Sequence, residues 1–192
     1  MTGSGALVVI SAPSGGGKTT IINGVLARNN PRLVYSVSAT TRAPRKNERD
    51  GESYIFLSLE EFQQRIDAGD FVEWAEVHGN LYGTLKSTLE ASIEKGEIVL
   101  LDIDVQGGLN VKKFFGKRAF LIFIKPPGEA ELRKRLRNRK TENAEVIARR
   151  LAAMPGEIAQ SKHYDKIVVN DQLEKTIEQV YTLINTKIDF TE

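Results

Sequence analysis

The 192-residue chain has no cysteine, two histidines and a single tryptophan. Without thiols it can form neither disulfides nor thiolate metal sites, and the lack of cysteine suits a reducing compartment. His78 and His163 have no partners at metal-ligand spacing, so neither is assigned chemistry. No sign of charge dominates. The 27 Lys and Arg against 25 Asp and Glu leave a formal +2, too slight to argue for a nucleic-acid partner. No apolar run approaches the roughly 20 residues that cross a bilayer, and the opening MTGSGALVVIS has no basic stretch and too short an apolar one for a secretory signal. Internal repeats and low-complexity segments are also lacking. The expectation is a soluble, cytoplasmic, single-domain chain without a membrane partner; oligomeric state has no signature here. With 41% hydrophobic residues the chain can bury a sizeable core.

What is present begins with Leu7 to Thr20, LVVISAPSGGGKTT. Leu7, Val8, Val9 and Ile10 read as a strand buried on both faces. A glycine loop, Lys18 and Thr19 follow, and Ile21, Ile22, Val25 and Leu26 recur at helical spacing. Strand, glycine loop, lysine, hydroxyl and helix are the context of a phosphate-binding P-loop. Glycines let successive N–H groups point at one anion, and the helix adds its positive end. A nucleotide's phosphates would lie along Ala12, Pro13, Ser14, Gly15, Gly16, Gly17, Lys18, Thr19 and Thr20. Lys18 would reach the β- and γ-phosphates and the Thr19 hydroxyl would hold Mg²⁺ bound with the nucleotide. The usual G-x-x-x-x-G-K-[ST] opens with glycine, where this chain has Ala12. Glycine is needed only where φ is positive or a side chain clashes, so a methyl at the loop entrance is tolerable. The competing reading, a flexible glycine turn, leaves the lysine and two threonines unexplained.

Further on, the sequence predicts strands at Val34–Ser38, Tyr54–Leu57, Phe71–Val77 and Leu81–Leu85, the last two joined by His78-Gly79-Asn80. Ser58 and Glu61 form a capping box for a helix through Ile66 stopped by Gly69, and a helix over Lys86–Lys95 ends at Gly96. Short strands with hairpin connections do not make a parallel crossover, so 34 to about 94 reads as an insert. Apolar strands return at Ile98–Ile103, ending in Asp102 and Asp104, and at Phe120–Ile124. Residues 129–150 are dense in arginine, and Pro155-Gly156 should break or end the helix there. Lys166–Asn170 is a last strand, and Leu173, Ile177, Val180, Tyr181, Ile184 and Ile188 stripe a closing helix. Trp74 reads as core of the insert. The fold class expected is α/β: a P-loop parallel sheet flanked by helices.

Four segments carry a resemblance: SVSATTRAPR (Ser36–Arg45), FVEW (Phe71–Trp74), HGNLYGT (His78–Thr84) and LDIDVQG (Leu101–Gly107). In order and spacing they resemble the guanylate kinases, and with the P-loop and Val168-Val-Asn-Asp171 the resemblance covers essentially the whole chain. It implies ATP + GMP giving ADP + GDP with Mg²⁺. It also implies a core (about 1–33, 95–127 and 164–192), a mixed α/β GMP-binding insert (about 34–94) and a helical lid (about 128–163). A guanine edge presents the acceptor O6 beside the donors N1–H and the 2-amino group. By resemblance Glu73 and Asp104 accept from the donors, while Ser38 and Thr84 address O6 and the base edge. Adenine reverses that pattern and would leave buried groups unpaired, at about 1–3 kcal/mol each. Arg42 and Arg45 would converge on the GMP phosphate, with Tyr54 and Tyr82 adding hydroxyls. Asp102 and Asp104 lie two apart, so both project to one side of a strand. Asp102 would serve the Mg²⁺ shell near Thr19 through a water and Asp104 would face the base. Lys18 and the lid residues Arg135, Arg139 and Arg150 would be catalytic, and Asn170 would lie against adenine.

Blander alternatives stand beside each assignment. Glu73 and Thr84 singly could be surface residues, Arg42 to Arg49 a solvated basic loop, and the two aspartates caps for the helix at Gln106. Arg133, Arg137 and Arg149 read as a solvated face. The lid departs from the family at Lys140, where a glycine is usual, which bears on its hinge. Two rival functions remain: a P-loop kinase for another phosphorylated acceptor such as a ribose bisphosphate, and a non-catalytic phosphopeptide-binding module of the same build. The guanine-edge set argues against the first, the intact Gly15–Thr19 against the second.

Overall fold

The computed structural model describes residues 5–13, 15–77, 79–128, 131–132 and 144–188. Strand β1 (Ala6–Ser11) is the apolar run read from the sequence, buried throughout. Period-two alternation divides it between two cores: Val8 and Ile10 face one, Leu7 and Val9 the other. Around it, β2 (Leu33–Tyr35), β7 (Ile98–Asp102), β8 (Ala119–Lys125) and β9 (Lys166–Val169) form a parallel sheet of order β2-β7-β1-β8-β9. Helices α1 (Lys18–Leu26) and α6 (Leu173–Ile188) cover one face with Ile21, Ile22 and Val25 against Ile177, Val180 and Ile184. They approach closely at Gly24, where a Cβ would come 2.4 Å from Ile177 Cδ1. Helices α3 (Lys86–Glu94) and α4 (Val105–Phe115) cover the other with Leu89, Ile93, Val105 and Val111.

A second sheet spans residues 39–85. Its strands β3 (Ala39–Thr40), β4 (Ile55–Phe56), β5 (Phe71–Val77) and β6 (Asn80–Leu85) lie in the order β4-β3-β6-β5. Helix α2 (Leu59–Asp67) packs on it, Phe62 stacking on Phe71 at a centroid distance of 4.4 Å. The capping box forms in both directions: Glu61 N donates to Ser58 Oγ at 3.1 Å and Ser58 N to Glu61 Oε2 at 2.8 Å.

Three expectations are corrected. The predicted strand at Val34–Ser38 stops at Tyr35, and Ser36–Ser38 cross to the second sheet, where β3 begins at Ala39: β2 pairs with β7, β3 with β4 and β6. Trp74 is not core; β5 is an edge strand and the residue is 49% exposed. The helix α5 (Ala144–Gln160) passes through Pro155 instead of breaking there. Buried Met154, with Leu151 and Ile158, packs on Leu132, and this continuous apolar face outweighs the hydrogen bond a proline forfeits on the exposed side. Among the described residues no helix is long and apolar enough to cross a membrane.

Candidate active site

The loop between β1 and α1 is wound by its backbone. Gly15 and Gly17 have φ of 85° and 91°, which only glycine adopts freely, and Gly16 N donates to Pro13 O at 2.8 Å. A Cβ on Gly16 would come 2.9 Å from Pro13 O and 3.0 Å from the methyl of Ala12, so glycine is required there. Ala12 itself has no positive φ and packs half-buried against the first core, which explains why the missing entrance glycine does no harm. Ser14 lies outside the described residues. Lys18, Thr19 and Thr20 open α1, the two threonines exposed. Asn170 sits underneath, 4% exposed, its Nδ2 donating to Gly16 O at 2.9 Å. One hydrogen-bonding direction of this amide therefore supports the loop from below.

Lys18 Nζ does not hang in solvent. It donates to Asp102 Oδ1 at 2.6 Å and to Ile103 O at 3.0 Å, which joins the loop to the end of β7. That strand stops at Asp102, so Asp104, two residues on, is not part of it, and the expectation that both aspartates project to one side of a strand is corrected. Asp104 is the N-cap of α4, Oδ1 accepting from Gly107 N at 2.7 Å. The capping alternative is therefore real for Asp104 and does not apply to Asp102. Capping uses one carboxylate oxygen and leaves the exposed side of the group facing a cleft of about 260 Å³.

The opposite wall of that cleft comes from the second sheet. A bulge between Phe71 and Glu73 shifts the β5–β6 register, so that Phe71 pairs with Leu85 but Glu73 with Thr84. Adjacent residues of β6 face opposite ways, and the bulge thereby turns Glu73 away from the apolar cluster of Phe71 and Leu85 and toward the cleft. Thr84 Oγ1 donates to Glu73 Oε1 at 2.5 Å. The other oxygen, Oε2, lies 3.2 Å from where a Cβ on Gly107 would be, with Asp104 Oδ1 3.4 Å from the same point. The two carboxylates thus converge across Gly107. Burial first, then the charge of Asp104, pushes the Glu73 carboxyl above the usual range, against the pull of the Thr84 hydrogen bond.

Ser38, Tyr54 and Tyr82 line the same cleft. Arg42 lies over the Tyr54 ring at 5.4 Å and its Nε donates to Tyr82 Oη at 3.2 Å. Arg45 is exposed beside it. Two residues not expected here belong to the site. Glu48 bridges the arginines, Oε1 accepting from Arg42 at 2.8 Å and Oε2 from Arg45 N at 2.7 Å. Those two bonds, Arg42 first, hold its carboxyl below the usual range. Its signal in the sequence was an acid three residues after Arg45 in a turn. Ser36, in the crossing between the sheets, lines the cleft with a buried Oγ that has no hydrogen-bond partner among the described residues; only the structure reveals that.

Arg150 is half-buried on α5, while Arg135, Arg139 and Lys140 lie outside the described residues. No three His, Cys, Asp or Glu gather at metal-binding distance among the described residues. The arrangement is that of an anion cradle at a helix N-terminus joined by one ion pair to an acidic, hydroxyl-rich cleft with an arginine at its rim.

Comparison with known proteins agrees. The family profile described as guanylate kinase matches residues 4–187. A guanylate kinase of Anaeromyxobacter dehalogenans is 46% identical over 181 residues, 94% of this chain and 80% of that one. Another, of Thermotoga maritima, is 46% identical over 183 residues, 95% of this chain and 87% of that one. The crystal structure of guanylate kinase from Anaplasma phagocytophilum superposes with a TM-score of 0.74 at 33% identity, over 98% of this chain and 89% of that one. On the length of these matches, the chain belongs to the guanylate kinase family.

Proposed function

We propose that this chain transfers the γ-phosphoryl group of MgATP to the phosphate of GMP, giving ADP and GDP. The observation that carries the acceptor is the convergence of Glu73 and Asp104 on Gly107, with Thr84 behind Glu73. Two neighbouring carboxylates are the partners for two neighbouring donors, which guanine has at N1–H and its 2-amino group and adenine does not. Ser38 addresses O6. Arg42, with its fork oriented by Glu48 and Tyr82, holds the GMP phosphate together with Arg45 and Tyr54. Membership of the guanylate kinase family does not favour the ribose-bisphosphate rival.

On the donor side the phosphates lie on the N–H groups of Gly15–Gly17 and Lys18 leaves Asp102 for the β- and γ-oxygens. Asp102 is released by that exchange. Together with the exposed Thr19 hydroxyl it is a donor set suited to Mg²⁺, an ion that keeps several waters and takes few protein ligands when it arrives on phosphates. When bound, the ion would offset the charge of the phosphates, with Thr19 and Asp102 as the residues that would hold it. The acceptor oxygen is already ionised, so no general base is required, and alignment and positive charge do the work. Lys18, Arg150 and, outside the described residues, Arg135 and Arg139 supply it. Asn170 supports the loop from below and borders the adenine. The core, insert and lid close over both nucleotides, excluding water that would otherwise hydrolyse ATP.

A coupled assay with MgATP and GMP, AMP, CMP, UMP or no acceptor tests the proposal. Turnover with GMP alone is expected. Equal rates with AMP would defeat the guanine assignment, and no turnover with any acceptor would favour the binding module.

A further inference from the structure

The corner between β7 and α4 carries much of the site: Asp102 precedes it, Lys18 donates to the carbonyl of Ile103 within it, and Asp104 caps the helix that leaves it. Beneath it lie two buried hydroxyls. Ser11, the last residue of β1 and fully buried, has Oγ 2.9 Å from Ile103 O and 3.1 Å from Asp104 O. Tyr164 Oη is 2.8 Å from Ser11 Oγ and 3.2 Å from Val105 O. Each hydroxyl has one proton to give. The shortest chain therefore runs Tyr164 to Ser11 to Ile103 O, with the two longer contacts as alternates. Three successive carbonyls, 103 to 105, lie within reach of this pair.

The surroundings hold Tyr164 firmly. The residue is 8% exposed and its ring meets Phe123 edge-on at 5.5 Å. The next residue, Asp165, accepts from Leu121 N at 2.8 Å and from Lys112 Nζ at 2.9 Å. Room for the hydroxyl exists because residue 108 is glycine: a Cβ there would come 2.4 Å from Tyr164 Oη. Burial pushes the phenol up to about 12, with the Ser11 hydrogen bond opposing and the Asp104 charge assisting, so it remains a donor at neutral pH. The cluster around the ring is apolar, and a phenylalanine would fill the same space without bringing a hydroxyl into it.

We propose that Tyr164 and Ser11 are positioning residues for acceptor specificity: they fix the Ile103–Val105 backbone and so the place at which Asp104 meets the 2-amino group of guanine. Tyr164 follows directly on α5 and the short turn Ser161–His163, so the pair also ties the chain leaving the lid to the wall that reads the base. The proposal rests on the reading of Asp104 given above.

The test is steady-state kinetics with GMP and with inosine monophosphate, which lacks the 2-amino group, alongside thermal unfolding. In Tyr164→Phe the GMP-over-inosine ratio of kcat/KM should fall about fivefold, the worth of one hydrogen bond, with KM for MgATP within about twofold of the parent. Gly108→Ala keeps the hydroxyl but displaces it, and should lower the ratio similarly; added to Tyr164→Phe it should lower it less than it does alone, because the clash with Oη is gone and only the milder contacts with Val9 Cγ1 at 3.1 Å and the ring Cζ at 3.3 Å remain. Asp104→Asn is the control for the reading beneath. If Asp104→Asn lowers the ratio and Tyr164→Phe leaves it unchanged, whatever the change in Tm, the pair is merely structural and the inference is overturned while the reading of Asp104 stands. If Asp104→Asn also leaves the ratio unchanged, the reading of Asp104 fails and the inference falls with it.

Discussion

The donor cradle and the acceptor cleft are built from different materials. The cradle is backbone: two left-handed glycines, a third with no room for a methyl, and an amide beneath, nearly all from one unbroken stretch of chain. The cleft is side chain: a serine from the crossing between sheets, a glutamate turned by a bulge, a threonine behind it, and an aspartate that caps a helix. Backbone N–H groups suit any phosphate, whereas carboxylates placed side by side suit a ligand edge that carries two neighbouring donors. The difference predicts how each region fails: the cradle through charge and loop geometry, the cleft one side chain at a time.

The largest effect should come where the two regions touch. Lys18→Ala removes the cation that spans them and should lower kcat by about 10²–10³, the usual cost of losing one electrostatic partner of the transition state. GMP binding, measured by calorimetry without ATP, should stay within about twofold of the parent. Loss of GMP binding as well would show that cradle and cleft are not separable. Next comes Glu73→Gln, which on the proposed reading replaces an acceptor by a donor opposite guanine. With a hydrogen bond to a charged group worth about 1.5–3 kcal/mol, kcat/KM for GMP should fall roughly 10- to 100-fold. The KM for ATP should not follow, and a parallel rise there would break the division.

The same contrast decides what could be read before any coordinates existed. The cradle was legible because its parts are neighbours in the chain and each has a steric reason: Gly17 for its φ, Lys18 and Thr19 for the helix start. The core sheet was legible for a similar reason, since Leu7–Ile10 and Ile98–Leu101 are runs that only two-sided burial explains. The capping box at Ser58 and Glu61 is equally local. The cleft was not legible from spacing. Glu73 reaches it only through a bulge that shifts the register of β5, and no alternation pattern announces a bulge; its residues were found by resemblance to a family. Trp74 was misplaced because an edge strand cannot be told from a central one by its own residues. The helix through Pro155 was missed because packing on Leu132, a tertiary fact, overrides a local preference. Glu48 sits in a basic loop with nothing in its spacing to mark it, and its two bonds to Arg42 and Arg45 exist only once the loop is folded.

Glu48 supplies the third test. Glu48→Gln keeps the shape of the bridge but removes its charge. The pair is partly buried, and glutamine keeps an acceptor for Arg42 while losing the charge, so the expected rise in KM for GMP is about threefold, with kcat unchanged. A fall in KM would mean that the carboxylate competes with the GMP phosphate for Arg42 instead of orienting it.

The smallest effect is on stability, and its direction separates the two regions most sharply. Burial and the neighbouring Asp104 hold the folded-state pKa of Glu73 above its unfolded value. The folded protein therefore binds this proton more tightly than the unfolded chain does. The stability associated with the group is fully present below the unfolded pKa and is lost as pH rises through the folded one. Once Glu73 is ionised, the parent holds a buried charge beside Asp104, a cost that glutamine at 73 removes while its carbonyl still accepts from Thr84. Glu73→Gln should accordingly melt slightly higher than the parent at pH 8, although it is the poorer enzyme. The gap should close as pH falls and the parent's own carboxyl becomes neutral. Lys18→Ala should behave in the opposite sense, since removing the lysine leaves Asp102 without the partner 2.6 Å away and gains nothing in return. Melting curves of both variants from pH 5 to 8 decide the matter. A Glu73→Gln protein less stable than the parent at every pH would mean that attractive partners, not burial and repulsion, dominate at Glu73, and that the cleft is no more strained than the cradle.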